Sequence, residues 1–401
     1  MYRVIKTSFR TSKTDLDRLF ACNRESARVW NDCLSHAKEH HKRTGKWIGK
    51  LDLQALTKGR YHLHSQSIQS IQERYLEARK NAWKAKQAGY AHIRYPYKKK
   101  RHYPTRWKKD GFFIHPNGKI ELSIGIHQGK REKPVIVHAS HFPQGKVKEI
   151  ELIWDGQLML AISYEDGISP TANSNTGIAA IDMGEIHGIA AVADTGQALI
   201  VTSRKLRSIK RLRNKKHAKL RKKQSRCKKG SRRWKKLQRA INKISSKTDR
   251  QQQDILHKMS RKFAAWADEQ QVKTVVVGDV EGVQRNTSNR KKDNPKKKRR
   301  TRRQNQRMSQ WPFGLLIMLL SYKLTALGIG LTKIDESYTT QTCPVCGRKK
   351  KAAGRTYKCY CGYSMHRDIH GARNILSKHK YGEIRAFDWV IDKITYLRPT
   401  G

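Results

Sequence analysis

The chain has 401 residues and carries 87 Lys and Arg against 32 Asp and Glu, a formal net charge of +55. An excess of that size repels itself in a compact state unless a polyanion is bound, so nucleic acid is the expected partner. No apolar run reaches the roughly 18–20 residues that cross a bilayer, and the opening "MYRVIKTSFRTSK" lacks the apolar core of a signal peptide. A membrane partner is set aside, and a cytoplasmic protein is expected.

"YRVIKTSF" alternates as a strand. From Asp15 onward, Leu16, Leu19, Phe20, Ala27 and Trp30 fall at helical spacing, and Ile68, Ile71, Tyr75, Ala78 and Trp83 share a second helical face. Residues 14–90 therefore read as a helical insert between strands. Strand character returns in "GFFIHPNGKIELSIGI", a hairpin about Asn117-Gly118, then in "KPVIVHA" and "VKEIELIWDGQLMLAISYE" with its Asp155-Gly156 turn. Short antiparallel strands in succession predict a small β-barrel over 1–13 and 91–170. Aromatics alternate with Lys and Arg at 95–109, which makes Tyr103 and Trp107 candidates for stacking on bases. A surface hairpin with charged edges is the plainer alternative.

"SPTANSN" at 169–175 is a linker of turn formers. Three strands follow, 178–183, 188–193 and 197–202. Residues 204–247 are strongly cationic with periodic Leu, Ile and Trp, and read as one or two basic linking helices. Lys215, Lys216, Arg221, Lys222 and Lys223 are the candidate phosphate contacts there. After a helix over 248–269, "VKTVVVGDV" is nearly all apolar, the mark of a buried parallel strand. "RNTSNRKKDNPKKKRRTRRQNQR" reads as a loop disordered until nucleic acid binds. "WPFGLLIMLLSYKLTALG" is a buried helix, and "GLTKIDESY" is a strand ending in two adjacent acids, Asp335 and Glu336.

Four of the seven cysteines cluster in Cys343-Pro-Val-Cys346 and Cys359-Tyr-Cys361; Cys22, Cys33 and Cys227 stand apart as ordinary thiols. Two pairs of this form, each followed by a glycine (Gly347, Gly362), predict a closed, structural Zn²⁺ site. "HRDIHGARNIL" then makes a helix with Asp368 at its start. A lone Asp there is ordinarily an N-cap. The larger order weighs against that. An acid-ended strand (Asp182), a meander, two parallel strands and a late acid-bearing helix match a ribonuclease-H-like fold with sheet order 3-2-1-4-5. In such a fold, carboxylates at one edge hold two Mg²⁺ for phosphodiester hydrolysis.

"AAIDMG", "VVVGDVEGV", "YTTQTCPVCG" and "CGYSMHRDIHGARNIL", in this order, resemble the split RuvC nuclease domain and zinc ribbon of TnpB proteins. These are transposon-encoded RNA-guided nucleases related to type V CRISPR effectors. The resemblance implies an α+β multidomain chain: a wedge-like β-barrel (1–13 and 91–170) with a helical recognition lobe (14–90), and a RuvC domain split over 176–203, 248–338 and 363–380. Residues 204–247 would link the RuvC segments, 339–362 would form the zinc ribbon, and 381–401 a C-terminal tail. It implies a guide RNA and double-stranded target DNA as partners, in the nucleoid of a bacterium or archaeon, and leaves monomer or homodimer open.

One position departs from the family: where a catalytic Glu is usual, this chain has Gly278, followed by Asp279. Glu336, at the end of the neighbouring strand, is the expected replacement, sharing two Mg²⁺ with Asp182 and Asp368; Glu281 and Asp279 are the fallbacks. A nuclease-dead guided DNA binder, a miniature type V effector and a zinc-ribbon structural RNA-binding protein are the other functions that these features allow.

Overall fold

The computed structural model describes residues 1–127, 129–280 and 302–399. Glu281 and most of the cationic run after it lie outside the described residues. The chain divides into two compact units, Met1–Ile168 and Ser169–Gly401.

In the first unit, strands β1 (Tyr2–Thr7) and β2 (Phe9–Arg10) precede helix α1 (Lys13–Thr44). Ser12 caps that helix by accepting from the Asp15 N–H, and Gly45 closes it at φ 68°, a left-handed conformation that costs glycine little. α2 (Lys50–Thr57) and α3 (Ser65–Gln87) complete the expected helical insert. Eight strands follow: β3 (Thr105–Trp107), β4 (Phe112–Ile114), β5 (Lys119–Leu122), β6 (Ile126–His127), β7 (Lys130–Arg131), β8 (Val135–Ala139), β9 (Lys146–Trp154) and β10 (Leu158–Glu165). Where a barrel is expected, the main strands form two four-stranded antiparallel sheets, β1-β10-β9-β3 and β2-β8-β5-β4. Alternate residues Ile150, Leu152, Leu160 and Ile162 of one sheet and Ile120, Leu122, Val135 and Val137 of the other share a single core with the helices.

The second unit is built on a six-stranded mixed sheet with helices on both faces. β11 (Gly177–Asp182), β12 (His187–Ala193) and β13 (Gln197–Thr202) form an antiparallel meander. α4 (Arg204–Gln224) and α5 (Arg232–Glu269) lead to β14 (Val272–Gly278). α5 runs straight through the boundary placed at 247/248, because Ile241, Ile255 and Phe263 continue one buried stripe. α6 (Arg302–Ser309) gives helical structure to the end of the run read as a disordered loop; its earlier residues lie outside the described ones. α7 (Phe313–Ala326) and β15 (Gly330–Ile334) follow. The ribbon strands β16 (Thr356–Lys358) and β17 (Ser364–His366) run into α8 (Arg367–Tyr381), and β18 (Lys393–Leu397) comes last.

The sheet order is β15-β14-β11-β12-β13-β18. β14 is parallel to both β11 and β15. The first five strands in chain order thus stand 3-2-1-4-5 across the sheet. The sixth corrects the expected C-terminal tail: Ile394 and Leu397 pack on the sheet, and β18 extends it parallel to β13. One face is covered by α5 and α7 through Leu256, Met259, Phe263, Leu316 and Leu320, the other by α8 through Ile369, Ala372, Ile375 and Leu376. Among the described residues, no helix is long and apolar enough to cross a membrane.

Candidate active site

Strand parity places the acids. Ala180 on β11, Val276 on β14 and Ile334 on β15 all pack toward α8. Side chains two residues apart share a face, so Asp182, Gly278 and Glu336 emerge on that same side. Ile181 pairs with Val277, and Gly278 with Ile334, so the three strand ends lie level. A Cβ built on Gly278 would stand 2.5 Å from Glu336 Oε2 and 2.9 Å from Glu336 Cβ. Glu336 therefore fills the volume that a side chain at 278 would need. The adjacent Asp335 turns outward, is 66% exposed, and pairs with Lys378 Nζ at 2.7 Å. Lys378 and Ser337 pull its carboxyl down to about 2.

Asp182 depends on a second glycine. A Cβ at Gly371 on α8 would collide with the Asp182 carboxylate, so this notch lets the helix pass over the acid. Asp368 sits in the first turn of α8 but does not cap it; His366 holds the N-cap position. Its carboxylate accepts from Arg367 Nε at 3.3 Å and faces Arg355 Nη1 at 3.6 Å. Burial, then the charges of Glu336 and Asp368, hold the Asp182 carboxyl well above its ordinary value. Burial, then Asp279 and Asp335, push Glu336 up to about 7. Asp279 donates its backbone N–H to Ile334 O at 2.7 Å, so its main chain is part of the ladder holding the edge.

The turn that aims Glu336 is held by residues without a role in the sequence analysis. Thr339 Oγ1 donates to Glu336 O at 2.9 Å. Buried Asn374 on α8 donates to Thr339 O at 2.7 Å and Thr342 O at 2.8 Å. Tyr338 takes φ 66°, a strained value for a non-glycine residue. The only local hint of this clamp was the polar Asn374 interrupting the apolar face Ile369–Leu376.

The four cysteines meet as expected. Cys343 and Cys361 Sγ are 3.6 Å apart, Cys346 and Cys359 Sγ 3.4 Å, and all four lie within 4.8 Å of one another. Gly347 and Gly362, at φ 69° and 91°, make the turns. Backbone donation by Cys361 pulls the Cys359 thiol down to about 6, while burial pushes the Cys343 thiol up to about 12, a cost that a bound cation offsets. Four sulfur donors at this spacing fit a closed structural zinc site. Among the described residues the other set of possible donors drawn within 4.8 Å is His187, His366 and Asp368. Asp182, Glu336 and Asp368 share an edge without closing to that spacing as a set.

Lys215, Lys216, Arg221, Lys222 and Lys223 are all exposed on α4. A cleft of about 760 Å³ opens beside them, lined by Arg204, Arg207, Lys210, Arg211, Arg307 and Arg355 among others. Lys210, at 6% exposure, lies 5.4 Å over the Trp311 ring, and burial lowers its ammonium to about 8. The proposed stacking residues are placed otherwise. Trp107 is 1% exposed and donates to Ser123 O at 2.7 Å, so it belongs to the core. Tyr103 stacks on Trp30 at 4.9 Å. In that stretch Tyr97, at 49% exposure between Arg94 and Lys98, is the ring open to solvent.

Family models match in two places: "Probable transposase" (OrfB_IS605) over residues 161–284 and "Cas12f1-like, TNB domain" over 313–375. A TnpB-like protein of Methanocaldococcus jannaschii is 27% identical over 164 residues, 40% of this chain and 55% of that one. The chain is TnpB-like. A transposase-like protein of Paramecium bursaria Chlorella virus 1 is 43% identical over 63 residues, 15% of each chain. This TnpB-like chain thus spans about half the length of one curated relative, and less of the other. Its fold resembles that of the protein in a Cas12f1–sgRNA–target DNA complex, with TM-score 0.63 and 15% identity over 90% of this chain and 82% of that one.

Proposed function

We propose that this chain is an RNA-guided DNA endonuclease whose split RuvC-type domain holds two Mg²⁺ through Asp182, Glu336 and Asp368. The observation that carries this is Glu336 occupying the space left by Gly278. A surface acid has no reason to enter that notch. The donors are carboxylate oxygens, the type that suits a hard cation. The repulsion and burial that raise Asp182 and Glu336 are relieved when positive charge sits among them. Such ions, when bound, activate water and neutralise the leaving oxygen.

The chain's own residues do the rest. Gly371 lets Asp182 lie under α8, Asn374 and Thr339 hold Glu336 inward, and Arg367 fixes Asp368. The exposed cations of α4 and the cleft beside them are sited to grip phosphates. A guide RNA would offset much of the +55 charge. Base pairing would then supply sequence specificity while the protein reads duplex shape and a short flanking motif. In this scheme 1–13 with 91–170 serve as the wedge, 14–90 as the recognition lobe, and 339–362 as the ribbon.

The test is guided cleavage of a matching plasmid in Mg²⁺, using the RNA that copurifies and is identified by sequencing. Asp182→Ala and Glu336→Ala should lose cleavage by orders of magnitude and keep guided binding, while Asp279→Ala keeps more activity. Full cleavage by Glu336→Ala would overturn the relocated glutamate. Guided binding without cleavage by the wild type would make the chain a nuclease-dead binder.

A further inference from the structure

Two imidazoles meet on the flank of the acid edge, and the proposed hydrolysis uses neither. His187 opens β12 and is 5% exposed. His366 ends β17 and stands at the N-cap of α8. Their rings meet edge to face with centroids 5.5 Å apart. A ring nitrogen of each and an Asp368 oxygen lie within 4.8 Å of one another. The Nδ1 atoms of both histidines are buried with no hydrogen-bond partner. Leaving one such group unmet costs about 1–3 kcal/mol, and here two are left unmet on neighbouring rings.

Helix formation does not explain His366. An N-cap favours Ser, Thr, Asp or Asn, whose oxygen accepts a backbone N–H. His366 makes no such bond. Its ring is turned instead toward His187. Two nitrogen donors and one carboxylate, set on β12 and at the β17–α8 junction, form a donor set that favours first-row transition ions over Mg²⁺.

We propose that His187, His366 and Asp368 form a separate site for a divalent transition ion such as Mn²⁺, Co²⁺ or Zn²⁺, sharing Asp368 with the oxygen-only edge. Two cations oppose it. Arg367 Nε occupies one Asp368 oxygen at 3.3 Å, and Arg355 Nη1 stands 3.6 Å from the other. Arg355 is the one that yields. Its side chain is 41% exposed, and its Nη1 makes no hydrogen bond. Swinging it into solvent frees Asp368 Oδ2, and the charge of the bound ion replaces that of Arg355.

The experiment uses the full chain with its copurified RNA, loaded with Co²⁺. Cobalt in the cysteine cluster gives intense thiolate charge-transfer bands; cobalt on imidazole and carboxylate gives weak ligand-field bands alone. Wild type should bind one cobalt more than His187→Ala or His366→Ala, with the thiolate bands unchanged in all three. Cobalt held by RNA phosphates is common to every sample and cancels. Equal cobalt counts in wild type and variants would overturn the proposal. Cobalt-edge X-ray absorption on wild type whose cysteine cluster already holds zinc needs no variant. Imidazole scattering supports the site, and a shell of oxygens alone overturns it.

Discussion

The cysteine ribbon and the acid edge both rest on α8, yet they are assembled in opposite ways. The ribbon draws its donors from one short stretch, 343–361, and its sulfurs already stand 3.4–3.6 Å apart in pairs. The acid edge draws Asp182, Glu336 and Asp368 from two strand ends and a helix, and burial and mutual charge raise the Asp182 carboxyl. Local turns can build the first. Only the packed sheet can build the second, and that packing leaves negative charge to be neutralised. The two meet where the Tyr357 ring of the ribbon stacks on His370 of α8 at 4.0 Å, and where Asn374 holds the segment between Glu336 and Cys343.

The comparison can be broken first at the acid edge. Gly278→Glu drives a second carboxylate into the space of Glu336, and guided cleavage should fall by orders of magnitude. Adding Glu336→Ala clears that space, and the double variant should recover part of the rate. A double variant as inactive as the single would mean that the edge needs its carboxylate from the segment after β15. At the ribbon, Cys343→Ser should cost one zinc per chain by metal analysis and open 339–366 to proteolysis, because metal binding there is folding energy. Retained zinc would remove the ribbon from the comparison.

Asn374→Ala separates the two regions. It leaves the carbonyls of Thr339 and Thr342 without their donor, so stability should fall by about 2–3 kcal/mol in thermal unfolding. Zinc should stay bound while cleavage drops about 10-fold, the scale for residues that orient metal ligands. Loss of zinc instead would show that the clamp serves the ribbon.

Protonation sharpens the contrast. Glu336 is held up to about 7 in the folded chain against 4.5 ordinarily. Without divalent ions, the stability from its neutral form is complete below about 4.5 and lost as pH rises through about 7, by about 3 kcal/mol at most. Asp182 acts in the same direction. Glu336→Gln should flatten the part of that slope that Glu336 contributes, read from denaturant midpoints at several pH values. The smallest effect belongs to α4. Neutralising Lys215, Lys216, Arg221, Lys222 and Lys223 should lower the log–log salt slope of RNA or DNA binding by about 0.7–0.9 per lost phosphate contact. An unchanged slope would leave that face merely solvated.

What the sequence determined by itself is what neighbouring residues decide. The net charge calls for a polyanion, a nearly all-apolar run marks β14, the Cys and Gly spacing builds the ribbon, and the end of the neighbouring parallel strand brings Glu336 beside Gly278. What only the tertiary structure decided depends on residues far apart in the chain. Trp107 looks like a stacking residue among its cationic neighbours, but the opposing sheet buries it. β18 looks like a tail until the exposed edge of β13 offers hydrogen bonds to pair with. Gly371 shows its purpose once α8 crosses Asp182, and Asn374 once the 339–342 turn lies against it. The two glycine notches share one physical reason. A missing side chain leaves no local signal, and its value is set by the carboxylate that another part of the chain brings into the gap.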